Sequence, residues 1–170
     1  ALVRLSFTVR EISPTIAVGQ PAPVSKTLTL AAVGGDIARL STDREPLAAM
    51  YETAVATAGA EHRPFLLAFA TPKFCASAQC GPTLDRVKPF VADYPTVTFI
   101  NVEPYQLEVV DRQLQPVLTN NQLTTVAAVN EWGLVSEPWI FVVDRDGVVR
   151  GSCEGIVRTE ELTAALDSVR

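Results

Sequence analysis

The sequence predicts an α/β domain with a mixed central sheet and helices on both faces, preceded by an N-terminal extension. Three observations lead there. Residues 65–70, 96–102 and 138–143 form apolar runs of strand length, separated by segments with helical spacing. The run at 65–70 is apolar throughout, as expected of a strand covered on both faces. From the first helix onward the order reads α-β-α-β-α-β-β-α, which sets helices against a mixed sheet.

Taking the elements in order, residues 2–12 alternate apolar Val3, Leu5, Phe7 and Val9 with polar Arg4, Ser6, Thr8 and Arg10, a strand signal. Ser13-Pro14 and the Gly19-Gln-Pro-Ala-Pro23 stretch interrupt it and read as a linker. A short apolar segment at 27–33 ends at Gly34-Gly35. Residues 1–40 are therefore taken as an extension, or the tail of an upstream module, and 41–170 as the domain. Asp43 is placed to cap a helix over 46–58, with Pro46 in its first turn and Gly59 as its stop. Leu47, Met50, Tyr51, Ala54 and Val55 share one face of that helix.

After the strand at 65–70, residues 81–93 read as a helix with Leu84, Val87 and Val91 aligned and Pro89 as a kink. The strand at 96–102 is followed by a polar stretch, 103–121, containing Pro104 and Pro116, read as an insertion with weak local order. A short helix over 124–132 ends at Gly133. The strand at 138–143 meets the tight-turn signature Asp144-Arg-Asp-Gly147, leading into a strand over 148–153. Thr159 is placed to cap a terminal helix, with Glu160 and Glu161 complementing its dipole.

Bulk properties remove several function classes. At 170 residues the chain suits one domain, with or without an extension. Hydrophobic content of 48% against 19% charged residues excludes disorder. A net charge of −5 without a Lys or Arg run excludes a nucleic-acid footprint. The longest apolar stretches are strand-sized, too short to span a bilayer. The chain begins at Ala1 without Met or a signal-like segment, which reads as a removed leader or a fragment.

The chemistry lies in Cys75 and Cys80. They stand between the apolar run Pro64-Phe-Leu-Leu-Ala-Phe-Ala70 and a Gly81-Pro82 step, within Thr71-Pro-Lys-Phe-Cys75-Ala-Ser-Ala-Gln-Cys80. The order is strand, loop, dithiol, helix start. A sulfur at a helix N-terminus meets unpaired N–H groups and the positive dipole end, which favour thiolate, the form that attacks disulfides and peroxides. Three cysteines are too few for a disulfide scaffold, so the close pair reads as reactive. Five residues of α-helix rise about 7.5 Å and turn the side chain by roughly 140°. That exceeds the usual Cα–Cα reach of a disulfide, about 7 Å. A Cys75–Cys80 bridge therefore requires a loop over 76–79, or a first helical turn that unwinds on oxidation.

The cysteine block, with its Cys-Gly-Pro step at 80–82, and the block Trp132-Gly-Leu-Val-Ser-Glu-Pro-Trp139 together resemble the thioredoxin superfamily over residues 41–170. The second block is similar to the family pattern aromatic-Gly-aliphatic-x-Gly-x-Pro-Thr. The resemblance implies a thioredoxin-like fold and thiol–disulfide exchange with a protein partner. It also implies a cis-proline at Pro138 facing the cysteines, and no bound cofactor. Cys75 is then the attacking sulfur and Cys80 the resolving one. Glu137 and Pro138 would shape the partner groove, with Phe74 and Trp139 offering apolar contact. Resemblance to exported thioredoxin-like proteins, together with the Pro-rich N-terminal part, implies an extracytoplasmic bacterial domain, secreted or anchored to a membrane outside this segment.

The chain departs from the family in spacing, Cys-x4-Cys against Cys-x-x-Cys. Aligning Cys75 with the first family cysteine lengthens the preceding loop by one residue. Aligning Cys80-Gly-Pro-Thr83 instead puts Thr83 in the second cysteine's place and gives a monothiol site. The first keeps the loop short and is preferred. The family's buried strand acid is absent, with Ala68 standing there, so protons must be managed differently.

Three other readings remain open. The Cys-x4-Cys spacing resembles some atypical peroxiredoxins, although the Pro-x3-Thr-x2-Cys pattern is unmet: Pro72 and Thr71 are out of register and no assisting Arg is identifiable. Copper delivery of the Sco type needs a later His, whereas His62 precedes the strand, so no metal site is expected. A non-catalytic interaction module would keep the fold with the bridge as an inert staple. Cys153 reads as a small buried hydrophobe, and Lys73 as an exposed charge with little effect on Cys75.

Overall fold

The computed structural model describes residues 11–170. The strand expected over residues 2–12 falls almost entirely outside them. Four strands make the central sheet: β1 (Phe65–Phe69), β2 (Thr98–Val102), β7 (Trp139–Val143) and β8 (Val149–Glu154). Their order is β2-β1-β7-β8. β1 and β2 are parallel, while β1–β7 and β7–β8 are antiparallel, so the sheet is mixed. Helix α2 (Cys80–Val87) and the short α3 (Phe90–Asp93) form the crossover between the parallel pair. Their boundary falls at Lys88-Pro89, where proline supplies no N–H to continue the ladder and the expected kink becomes a break.

Alternation along β1 divides the core. Leu66, Ala68 and Ala70 face one cluster with Cys80, Leu84 and Val87 from α2 and Leu162 and Leu166 from α5 (Thr159–Asp167). Phe65, Leu67 and Phe69 face the other. That side is covered by Val55 and Ala58 of α1 (Val55–Ala60), Ala128 and Val129 of α4 (Ala127–Glu131), and Trp132. Residues of period two thus serve two helical layers, which is why the strand shows no polar positions.

The structure corrects several boundaries. The helix expected over 46–58 is divided into a 3-10 turn, Ala48–Tyr51, and α1. Long-range bonds fix the division: the Val55 N–H donates to Thr27 Oγ1 at 3.1 Å and the Ala56 N–H to the Ser25 carbonyl at 2.9 Å. Thr27 and Ser25 thus supply the cap expected from Asp43, which instead pairs with Lys88 at 2.6 Å. The terminal helix is capped by Arg158 rather than Thr159, and the Arg158 N–H donates to Glu161 Oε2 at 3.3 Å.

Residues 19–22, linker-like in composition, lie along the sheet edge. The Gly19 N–H donates to the Val149 carbonyl and the Ala22 N–H to the Gly147 carbonyl, both at 2.8 Å. Thr15 bonds the Gly133 carbonyl, and Ser25 accepts the Trp132 indole N–H at 3.1 Å.

The stretch from 103 to 121 is ordered, contrary to expectation. It forms two antiparallel ribbons, β3 (Leu107–Val110) with β4 (Gln113–Pro116), and β5 (Leu118–Thr119) with β6 (Gln122–Leu123). Asp111 and Arg112 have φ of 50° and 63°, as do Asn120 and Asn121. Two successive positive φ values define the two-residue turn whose twist suits a hairpin.

Candidate functional site

Cys75 and Cys80 are joined as a disulfide with Cα atoms 6.1 Å apart. Residues 76–79 form a loop, with Ala78 at φ 57°, and Cys80 is the first residue of α2. The bridge therefore meets the reach condition through a loop rather than through a helical turn. Cys75 stands in the loop before the helix, and α2 begins at Cys80, one residue ahead of the expected start at Gly81. Its sulfur nevertheless feels the first turn, because the Cys80 N–H donates to Cys75 Sγ at 3.3 Å. The Ser77 hydroxyl lies 3.3 Å from the same sulfur.

The two sulfurs differ in access. Cys80 is fully buried against Leu84 and the first core cluster, whereas Cys75 is half-buried in the loop. Thr83 is committed elsewhere, donating its hydroxyl to the Gly155 carbonyl at 3.2 Å.

Across from the loop stands the turn before β7. The Glu137–Pro138 peptide bond is cis. Glu137 reaches the dithiol loop twice: its Oε1 accepts the Ala76 N–H at 3.1 Å and its carbonyl accepts the Ser77 hydroxyl at 3.2 Å. Pro138 is buried, and its carbonyl accepts the Gly155 N–H at 2.8 Å. The structure brings Cys75, Cys80, Glu137 and Pro138 into one region. Phe74 sits beside Cys75, half-buried, with the Lys73 ammonium 5.3 Å from its ring centre. Trp139 turns to the second core cluster, stacking on Phe141 at 5.5 Å and donating to Ser136 Oγ at 3.1 Å. Lys73 bonds the Leu114 carbonyl at 3.0 Å.

Two residues of this region escaped the sequence reading. Tyr105, which opens the ribbon insertion, donates its hydroxyl to Glu137 Oε2 at 2.9 Å. Burial, with Glu137 adding to it, pushes the Tyr105 phenol up to about 12, so the group keeps its proton. Glu103, directly after β2, is 8% exposed. Its Oε1 accepts the Thr42 N–H at 2.6 Å and the Thr42 hydroxyl at 2.7 Å, while Oε2 is buried without a hydrogen-bond partner. Burial raises this carboxyl to about 7, and hydrogen bonds from neighbouring threonines offset that only in part. Thr42 Oγ1 also accepts the Lys73 N–H at 3.3 Å, which links Glu103 to the approach to Cys75. The local signal was an acid immediately following an apolar strand, where the sheet still covers the side chain.

Cys153 is half-buried and free, and burial raises its thiol above the usual range, with Glu161 and Glu154 adding to the effect. His62 is exposed, its Nδ1 3.1 Å from the Arg145 carbonyl. Among the described residues no group of three His, Cys, Asp or Glu is placed to hold a metal ion, and no helix is long and apolar enough to cross a membrane.

A family model described as a thioredoxin-like domain matches residues 51–170. The chain belongs to that family, and its class is that of thiol–disulfide oxidoreductases. Among solved structures it is similar to MTB DsbF in its mixed oxidised and reduced forms. The identity is 21% and the TM-score 0.48, over 67% of this chain and 86% of that one. No curated protein matches the chain.

Proposed function

We propose that this chain exchanges disulfides with a protein partner through Cys75 and Cys80. The observation that carries the reading is the pairing of one accessible and one buried sulfur in a single bridge, held against the Glu137–Pro138 turn. In the reducing direction the Cys75 thiolate attacks one sulfur of the partner's disulfide. A Cys75–partner bond forms and the partner's other sulfur leaves as thiolate. The Cys80 thiol, having lost its proton, then attacks Cys75 Sγ, closing the internal bridge and releasing the partner's second thiolate. Two electrons pass to the partner, which takes up two protons. Reversing the steps oxidises a partner dithiol, and neither direction uses a cofactor.

The loop geometry supports these roles. The Cys80 N–H directed at Cys75 Sγ favours negative charge on the attacking sulfur. Burial of Cys80 keeps it from competing partners while leaving it in reach of Cys75. Pro138 and Glu137 border the surface where an extended partner segment would lie, with Phe74 beside it; Trp139 contributes by fixing the turn through Ser136. Residues 41–170 carry the chemistry, and Ser25 and Thr27 support it by contacts at Trp132 and Val55. The reading places the protein outside the cytoplasm of a bacterium, secreted or anchored by a segment beyond this chain.

Trapping tests the assignment. Cys80→Ser should accumulate a mixed disulfide between Cys75 and a disulfide-bearing substrate such as insulin, because the resolving thiol is gone. Cys75→Ser should form none. A Cys75→Ser protein that still reduces insulin would reverse the roles.

A further inference from the structure

We propose that Tyr105 and Glu137 form a positioning pair that sets the charge environment of the Cys75 sulfur. The inference deepens the disulfide-exchange reading and rests on it. Both hydrogen bonds that tie residues 76 and 77 to another element end on Glu137: the Ala76 N–H on Oε1 at 3.1 Å and the Ser77 hydroxyl on the carbonyl at 3.2 Å. The remaining carboxylate oxygen, Oε2, takes the Tyr105 hydroxyl at 2.9 Å. Tyr105 is itself fixed, since it begins the ribbon insertion and is bridged to Thr125. One carboxylate thereby joins the insertion, the turn before β7 and the dithiol loop.

The arrangement has an electrostatic consequence. A carboxylate next to the residues that follow Cys75 opposes thiolate formation, as like charges do. Engaging both of its oxygens with donors disperses that charge and holds it at the Ala76 amide. Tyr105 suits the task, because its phenol stays protonated throughout the range in which thiols ionise. The other charged groups of this region are already engaged. Lys73 bonds the Leu114 carbonyl and lies over Phe74, and Glu154 accepts from the Ser136 hydroxyl.

Tyr105→Phe removes the donor and keeps the ring. It leaves Glu137 Oε2 unpaired beside the loop, so Cys75 should become harder to ionise. Glu137→Gln removes the charge and should have the opposite effect. The test is the pH dependence of Cys75 alkylation by iodoacetamide in the reduced protein, read by mass spectrometry at that residue. The midpoint for Tyr105→Phe should rise by about half a pH unit, and that for Glu137→Gln should fall. At about pH 7 the first change corresponds to roughly threefold slower alkylation. The double variant should match Glu137→Gln alone, because Tyr105 acts through that carboxylate.

A wild-type midpoint that Tyr105→Phe leaves unmoved overturns the pairing. So does a shift that persists in the Glu137→Gln background. If instead the wild-type bridge fails to exchange with any thiol, the disulfide-exchange reading itself falls, and that outcome is visible before any variant is made.

Discussion

Replacing Glu103 by Gln should stabilise the protein at alkaline pH and leave it nearly unchanged in mild acid. The amide keeps an acceptor oxygen for the Thr42 N–H and hydroxyl, which Glu103 Oε1 now serves at 2.6 and 2.7 Å. What it removes is a carboxyl that burial holds at about 7, above its ordinary 4.5. Between those values the folded chain keeps a proton that the unfolded chain has released. Stability therefore falls as pH rises through that window and levels off above about 7. At 1.36 kcal/mol per pH unit the gap corresponds to about 3 kcal/mol. Glu103→Gln should show no such fall, gaining up to about 3 kcal/mol over wild type at about pH 8 and nothing from this source at about pH 4.5. Urea unfolding across that range measures it, provided the m-values agree. Wild-type and variant stabilities that run parallel from acid to alkali would refute the reasoning.

Two further outcomes follow from the same geometry. The Cys75–Cys80 bridge closes a loop of sequence separation 5, for which chain entropy gives about 2 kcal/mol of stabilisation over the reduced form. Oxidised protein should therefore unfold at higher urea than reduced protein, and equal midpoints would contradict the entropic account. Gly133→Ala should destabilise the domain by at least about 1–2 kcal/mol from the left-handed backbone alone. Gly133 has φ 65°, and an added Cβ would lie 1.9 Å from the Pro14 carbonyl oxygen. A smaller loss in thermal unfolding would contradict the backbone strain, and a loss no larger than that would mean that the Pro14 segment moves aside.

Much of this molecule was legible in local pattern. The strands at 65–69, 98–102 and 139–143 announced themselves by apolar runs, and the cysteine and Trp132–Trp139 blocks carried the family. The reach limit on a five-residue spacing left a loop at 76–79 or an unwound first turn as the ways to bridge, and the structure has the loop. What escaped depended on partners distant in sequence. Nothing within 46–58 shows that Ser25 and Thr27 will cap its second half. The ribbons at 107–123 are too short for alternation to be read, and Asp111-Arg112 is not a characteristic hairpin dipeptide. Glu103 and Tyr105 looked like members of a polar insertion. Contacts with Thr42 and with Glu137 of the turn before β7 give them their roles, and such contacts are a property of the folded chain.

The central claim is that Cys75 and Cys80 trade two electrons reversibly with outside thiols. Equilibrating the protein across a graded series of reduced and oxidised glutathione, quenching with an alkylating agent and assigning each cysteine by mass spectrometry tests it directly. The account predicts that both sulfurs pass together from bridge to dithiol at one poise and return on reoxidation, while Cys153 stays a free thiol throughout. A bridge that no glutathione ratio opens, or one that re-forms with Cys153, would contradict it.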